Sequence, residues 1–144
     1  MKKKPLNAKK TNLGNVIIAD IGLLPEELVW DVLRGYPQEL VGELRKRLAS
    51  EFPNLREKIN RNSRYLGYSN GRSDAMYVYV QKKNLLIDIR LSVDLADDLR
   101  RQGFEVRPRD NFQAKVGWLT GFIVPYDTAN LDVIVELAVE ALQG

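Results

Sequence analysis

Between Tyr65 and Leu91 the chain alternates residue by residue, and no other feature restricts its fold as much. Met76, Val78 and Val80 fall on one side of a segment spanning about Ala75–Gln81, with Tyr77, Tyr79 and Gln81 on the other. Lys82-Lys83-Asn84 turns the chain. Leu85, Ile87, Ile89 and Leu91 then line one face, opposite Leu86, Asp88 and Arg90. A period of two residues requires extended backbone with one face buried. Upstream, Tyr65–Ser69 leads into Asn70-Gly71, the strongest short hairpin signal a sequence offers. Three consecutive antiparallel strands form a meander, and the rest of the chain has to cover its apolar face.

The flanking segments read as helices. Pro25 sits at a first helical position, followed by Glu26 and Glu27, where a helix N-terminus favours negative charge, and Gly35 is a natural stop. Pro37 opens a second helix whose buried stripe is Leu40, Val41, Leu44 and Leu48. Pro53 ends it or begins a third short helix carrying Leu55 and Ile59 inward. Asp94–Gln102 reads as a helix stopped by Gly103, Phe104–Pro108 and Leu119–Pro125 as strands, and 109–117 as an exposed loop. Asp127 or Thr128 caps a last helix that is apolar almost all round, apart from Asp132, Glu136 and Glu140. Such a helix needs broad cover from the sheet, and from the N-terminal arm or a second subunit.

The expected fold is α+β: one domain, with a four- to five-stranded antiparallel meander, N-terminal helices and a C-terminal helix packed on the sheet. Residues 1–14 read as a basic, disordered tail, 15–36 as an N-terminal arm and first helix, and 37–144 as the core. At 144 residues, one domain is the length expectation, and a core of that size needs no disulfide or metal.

Composition excludes several chemistries. The chain has no cysteine, so a thiol nucleophile and thiolate metal ligation are absent. It has no histidine, which removes the commonest general base and the commonest metal ligand. No apolar run approaches the roughly 20 residues of a membrane helix. The expected location is the cytoplasm, and no cofactor, metal site or catalytic residue is assigned. Residues 1–14 hold five lysines and no acid, so removing them turns a net charge of +3 into −2. The high pI therefore belongs to the tail, either as a solubilising terminus or as an arm that holds phosphates by charge.

The stretches Arg64-Tyr65-Leu66-Gly67-Tyr68, Val80-Gln81-Lys82-Lys83-Asn84-Leu85-Leu86-Ile87 and Asp127–Leu142 resemble a bacterial domain of unknown function often labelled a predicted transport protein. The likeness spans about residues 38–142. It implies a fold similar to the double-wing type of YjbR-like proteins, and by fold analogy DNA binding. Relatives often carry a histidine in the glycine-rich loop before the last strand. Here that loop is Val116-Gly117-Trp118-Leu119-Thr120-Gly121, and the histidine is missing.

Nucleic-acid-binding candidates are Arg45, Arg47, Arg61, Arg64, Tyr77, Tyr79, Arg90, Arg107, Lys115 and Trp118. Tyrosines on neighbouring strands offer rings on which bases stack, although tyrosine also simply suits a sheet. Because Tyr65 and Tyr68 point to opposite faces, Tyr65, Tyr68, Tyr77 and Tyr79 do not share one platform. Arg45, Lys46, Arg47, Arg56, Lys58, Arg61 and Arg64 either follow a phosphate backbone or form a salt-bridged face with Glu43, Glu51 and Glu57. Trp118, in a loop near Arg107, Arg109 and Lys115, reads as a binding hot spot or as a plug for the core edge. The leading expectation is a non-catalytic module binding DNA or RNA. The alternative is a protein-interaction or homodimerisation domain of a larger bacterial system, such as restriction or defence, in contact through Leu13–Ile21 or the last helix. A third reading, a metal-dependent nuclease, rests on Asp74 followed by Gln81-Lys82-Lys83.

Overall fold

The computed structural model describes residues 9–10, 15–70, 74–90, 93–107 and 118–143, with residues 9, 10, 74, 90, 93 and 118–121 described by their backbone alone. The strands are β1 (Lys9–Lys10), β2 (Val16–Ile18), β3 (Arg56–Asn60), β4 (Tyr65–Ser69), β5 (Asp74–Val80), β6 (Asn84–Arg90), β7 (Glu105–Val106) and β8 (Trp118–Pro125). The helices are α1 (Glu26–Val32), α2 (Glu39–Glu51), α3 (Val93–Arg101) and α4 (Leu131–Gln143). Among the described residues these strands form one antiparallel sheet in the order β1-β2-β3-β4-β5-β6-β8-β7. The α+β meander backed by helices is as the alternation requires. It is wider than four or five strands because short segments extend both edges.

One row of side chains explains the core. Ile17, Ile59, Leu66, Val78, Ile87 and Phe122 are successive register partners from β2 to β8, and all are buried. The helices lie over this face. α4 packs on β5, β6 and α2, which supplies the cover its apolar surface demands, and Ile134, Leu137, Ala138 and Leu142 are buried there. Its acidic residues Asp132, Glu136 and Glu140 remain exposed. α1 is seated on α2, with the Trp30 ring against Gly42. α3 follows the same layer, and Leu95 lines a groove with Val135 and Val139 of α4. No described helix is long and apolar enough to cross a membrane.

Three sequence expectations change. The segment after Pro53 is strand β3 rather than a short helix: Glu57 and Ile59 point inward and Lys58 outward, and an inward glutamate disguised the alternation. Within residues 15–36, Val16–Ile18 pairs with β3 and Ile17 is 5% exposed, which adds a strand to the expected sheet. Within the basic tail, Lys9 and Lys10 pair with Ile18 and Ile17 as an edge strand. Helix boundaries otherwise fall close to expectation. Gly35 and Gly103 take the left-handed conformation at φ 87° and 98°, as helix stops do. The Asp127 carboxylate accepts from the Ala129 amide at 2.9 Å, capping the single 3-10 turn that leads into α4. The loop expected at 109–117, together with Gly71 and Leu91, lies outside the described residues.

Candidate nucleic-acid interface

The face of the sheet opposite the helices carries its own rows. Asn60, Tyr65, Tyr79, Leu86 and Ile123 are register partners along one, and Lys58, Gly67, Tyr77 and Asp88 along the next. Strand alternation places all of these opposite the buried row. Tyr65, Tyr77 and Tyr79 are half-buried and form a cluster. The Tyr65 ring stands edge-on to Tyr77 at 5.3 Å between centroids and tilted against Tyr79 at 5.2 Å. Tyr68, the fourth tyrosine weighed for this platform, is buried on the helical side.

Gly67 gives the cluster its cation. Lys58 and Tyr77 flank Gly67 across β4, and the missing side chain leaves a lane for the lysine stem. A Cβ there would stand 2.8 Å from Lys58 Cε and 3.2 Å from Tyr77 Cε1. Lys58 Nζ lies 5.4 Å from the Tyr77 ring centroid, a cation–π approach. Asp88, the register partner of Tyr77, is 3% exposed, and it, Lys58, Tyr77 and Tyr79 each have a further interaction within the protein.

At one end the face meets the β3–β4 turn. The Asn60 side chain accepts from the amides of Asn62 and Ser63 at 2.9 and 2.8 Å, which folds the turn. Arg64 closes it with φ at 51°, a left-handed conformation uncommon outside glycine. Its amide donates to the Asn60 carbonyl, and its own carbonyl accepts from the Val80 amide at 3.0 Å. The guanidinium sits 5.4 Å from the Tyr36 ring centroid. Nearby, the Tyr126 hydroxyl donates to the Gln81 carbonyl at 2.6 Å. Burial, then the adjacent Tyr36 phenol, push Tyr126 up to about 12.

The other candidates disperse. Arg45 is a correction: it is 5% exposed and bonded to Glu57, so it presents no charge to a partner. Arg47 lies on the helical side, bridging to Asp132 of α4 at 3.3 Å. Arg61 is exposed in the β3–β4 turn. Arg107 is exposed beyond β7 and donates to Glu105 at 2.6 Å. Arg90 and Trp118 are register partners at the far end of β6 and β8, so Trp118 belongs to a strand rather than a loop. Lys115 lies outside the described residues. Asp74 opens β5 while Lys82 and Lys83 follow its other end, which separates the acid from the lysines of a nuclease arrangement. Among the described residues no cluster of acids is placed to hold a metal.

No family model, curated protein or solved structure matches this chain. The likeness to the predicted transport protein domain therefore stands on the quoted residues alone.

A cleft of about 450 Å³ between α1 and α2 is a poor rival for an anionic ligand, because Glu26, Glu39 and Glu43 line it against Lys46 and an Arg45 already paired with Glu57. Gly67 was the missed residue of the tyrosine face, and Lys58 was grouped by charge with the basic residues of 45–64 rather than with the tyrosines. The register of both with Tyr77 follows from sequence only once 56–60 is read as a strand.

Proposed function

We propose that this protein is a non-catalytic nucleic-acid-binding module that uses the sheet face opposite the described helices. The supporting observation is the Tyr65–Tyr77–Tyr79 cluster with Lys58 lodged against it. Aromatic rings on a sheet surface take bases by stacking, at about 1–3 kcal/mol per base, with little sequence preference. The lysine adds attraction for the phosphate that each base brings. The acidic stripe of α4 lies in the opposite layer, so the charge asymmetry favours the same face.

Fluorescence anisotropy with labelled DNA and RNA oligonucleotides tests this on the full chain. The expected result is binding that Tyr79→Ala weakens by roughly 5- to 150-fold, the loss of one stacked base. Absence of binding, or binding indifferent to Tyr79→Ala, would overturn the reading.

A second reading, a protein-contact module of a larger bacterial system, is favoured by Ile21. It is a large hydrophobic side chain left 65% exposed beside the β2 edge. Sedimentation of the wild type and Ile21→Asp tests it: a self-association that the substitution abolishes supports this reading, and a monomer in both removes its homodimer form.

A further inference from the structure

Resting on the reading above, we propose that the ligand is a single strand, with its bases on the tyrosine face and its phosphates crossing a basic rim made by two neighbouring turns. β3 and β5 run in the same direction because each is antiparallel to β4. The turn after β3 and the turn after β5 therefore emerge at the same end of the sheet. The first carries Arg61 and Arg64, and the second carries Lys82 and Lys83; all four residues are exposed. The Val80 amide to Arg64 carbonyl bond, at 3.0 Å, stitches the turns together.

The platform abuts this rim. Tyr65 follows Arg64 directly, Tyr79 stands two residues before Gln81, and the two tyrosines are register partners. Asp127, at the end of β8 on the same side, spends its carboxylate on the Ala129 amide. A backbone leaving the rings thus meets a line of cations, opposed by the Asp127 carboxylate and, farther along the tyrosine row, by Glu105, which pairs with Arg107.

The rings also decide between single and double strands. In a duplex the base faces are hidden in the stack, and side chains reach only edges and phosphates. Half-buried rings on a sheet meet only unstacked bases, and a tyrosine cluster of this size has room for two or three (~2–3 bases for a sheet platform). The shared chemistry is an unpaired base on a phosphodiester chain, as found in both single-stranded DNA and single-stranded RNA.

The test is a salt series of anisotropy titrations on the full chain, using oligo-dT, oligo-rU and a mixed-sequence duplex of equal length. Wild type is compared with Arg61→Ala/Lys82→Ala/Lys83→Ala and with Tyr79→Ala, after circular dichroism shows both variants folded. The inference expects each single strand to bind at least about tenfold more tightly than the duplex. It also expects the triple variant to flatten the plot of log affinity against log salt by about 2, since each phosphate contact on a single strand contributes about 0.7. If Tyr79→Ala weakens binding but the triple variant leaves the slope unchanged, or the duplex binds as tightly, this inference fails and the module reading stands. If no nucleic acid binds, or only the triple variant matters, the module reading fails as well.

Discussion

Arg45 and Glu57 meet in a buried bidentate ion pair, Nε to Oε2 at 2.9 Å and Nη2 to Oε1 at 2.8 Å. The remaining lone pairs of the carboxylate are also filled. The Leu24 amide donates to Oε1 at 2.9 Å and the Tyr68 hydroxyl to Oε2 at 2.7 Å. Arg45 donates further to the Leu24 carbonyl at 3.0 Å and lies 5.8 Å from the Trp30 ring centroid. Burial pulls the guanidinium pKa down, but the hydrogen bonds and charge of Glu57 outweigh it, so Arg45 titrates above its ordinary value. The cluster ties α2, β3, β4 and the segment before α1 together. By turning Glu57 inward it also turns Lys58 outward, toward the tyrosines.

Breaking this pair from one side strands the other charge in the core. Arg45→Ala or Glu57→Ala is expected to lower stability by about 3–5 kcal/mol in urea unfolding. The Arg45→Met/Glu57→Leu double variant is expected to lose less than the two single losses combined. A single-variant loss below about 1 kcal/mol would place the pair with exposed salt bridges and contradict the account.

Gly67→Ala separates the platform from the fold. The added methyl meets the Cγ and Cε of a flexible lysine stem and the edge of one ring. Its stability cost is therefore expected near the low end of the roughly 1–3 kcal/mol of overpacking. Displacing Lys58 from Tyr77 is expected to weaken nucleic-acid binding by more than its thermal shift would suggest. Paired melting and anisotropy measurements check this; unchanged affinity would remove Lys58 from the interface.

Alkaline titration has a definite sign. A phenol whose folded pKa is raised favours the native state below its unfolded pKa, and that advantage disappears as pH rises through the folded value. Tyr126 is pushed up to about 12 from an ordinary 10.0, so its contribution is complete below pH 10.0 and lost between there and about 12. Tyr68 is raised well above 10.0 by burial and then by the Glu57 charge, and acts in the same direction. Urea midpoints are expected to fall above pH 10.0, and less steeply in Tyr126→Phe, which is weaker at neutral pH for want of its bond to Gln81. Equal slopes in the two proteins would contradict the assignment.

Arg47→Ala is the negative control on the helical side. Its bridge to Asp132 is largely solvent-exposed, so the stability change is expected within about 1 kcal/mol. Nucleic-acid affinity is expected to stay the same, and a loss comparable to that of Tyr79→Ala would move the interface to the helical layer.

The legible parts of this fold were those in which apolar side chains alone set the period. β5, β6, α2 and α4 follow directly from their Leu, Ile and Val spacing. β3 was hidden because the inward position that defines it holds Glu57, whose partners Arg45, Leu24 and Tyr68 come from other elements. The same hidden strand concealed the Lys58–Gly67–Tyr77 row. Charge counting likewise grouped Arg45, Arg47 and Arg61, which the fold sends to the core, the helical surface and the rim. The edge strands were illegible for a different reason: two-residue segments such as Lys9–Lys10 carry too little pattern of their own.

The central claim, that the tyrosine face is the binding surface, is tested most directly by NMR titration of the labelled chain with a short oligo-dT. The account predicts that shift changes concentrate on Lys58, Tyr65, Tyr77 and Tyr79 and extend to Arg61, Lys82 and Lys83. Changes concentrated on the Trp30 cleft or on the exposed stripe of α4, with the tyrosine signals unmoved, would contradict it.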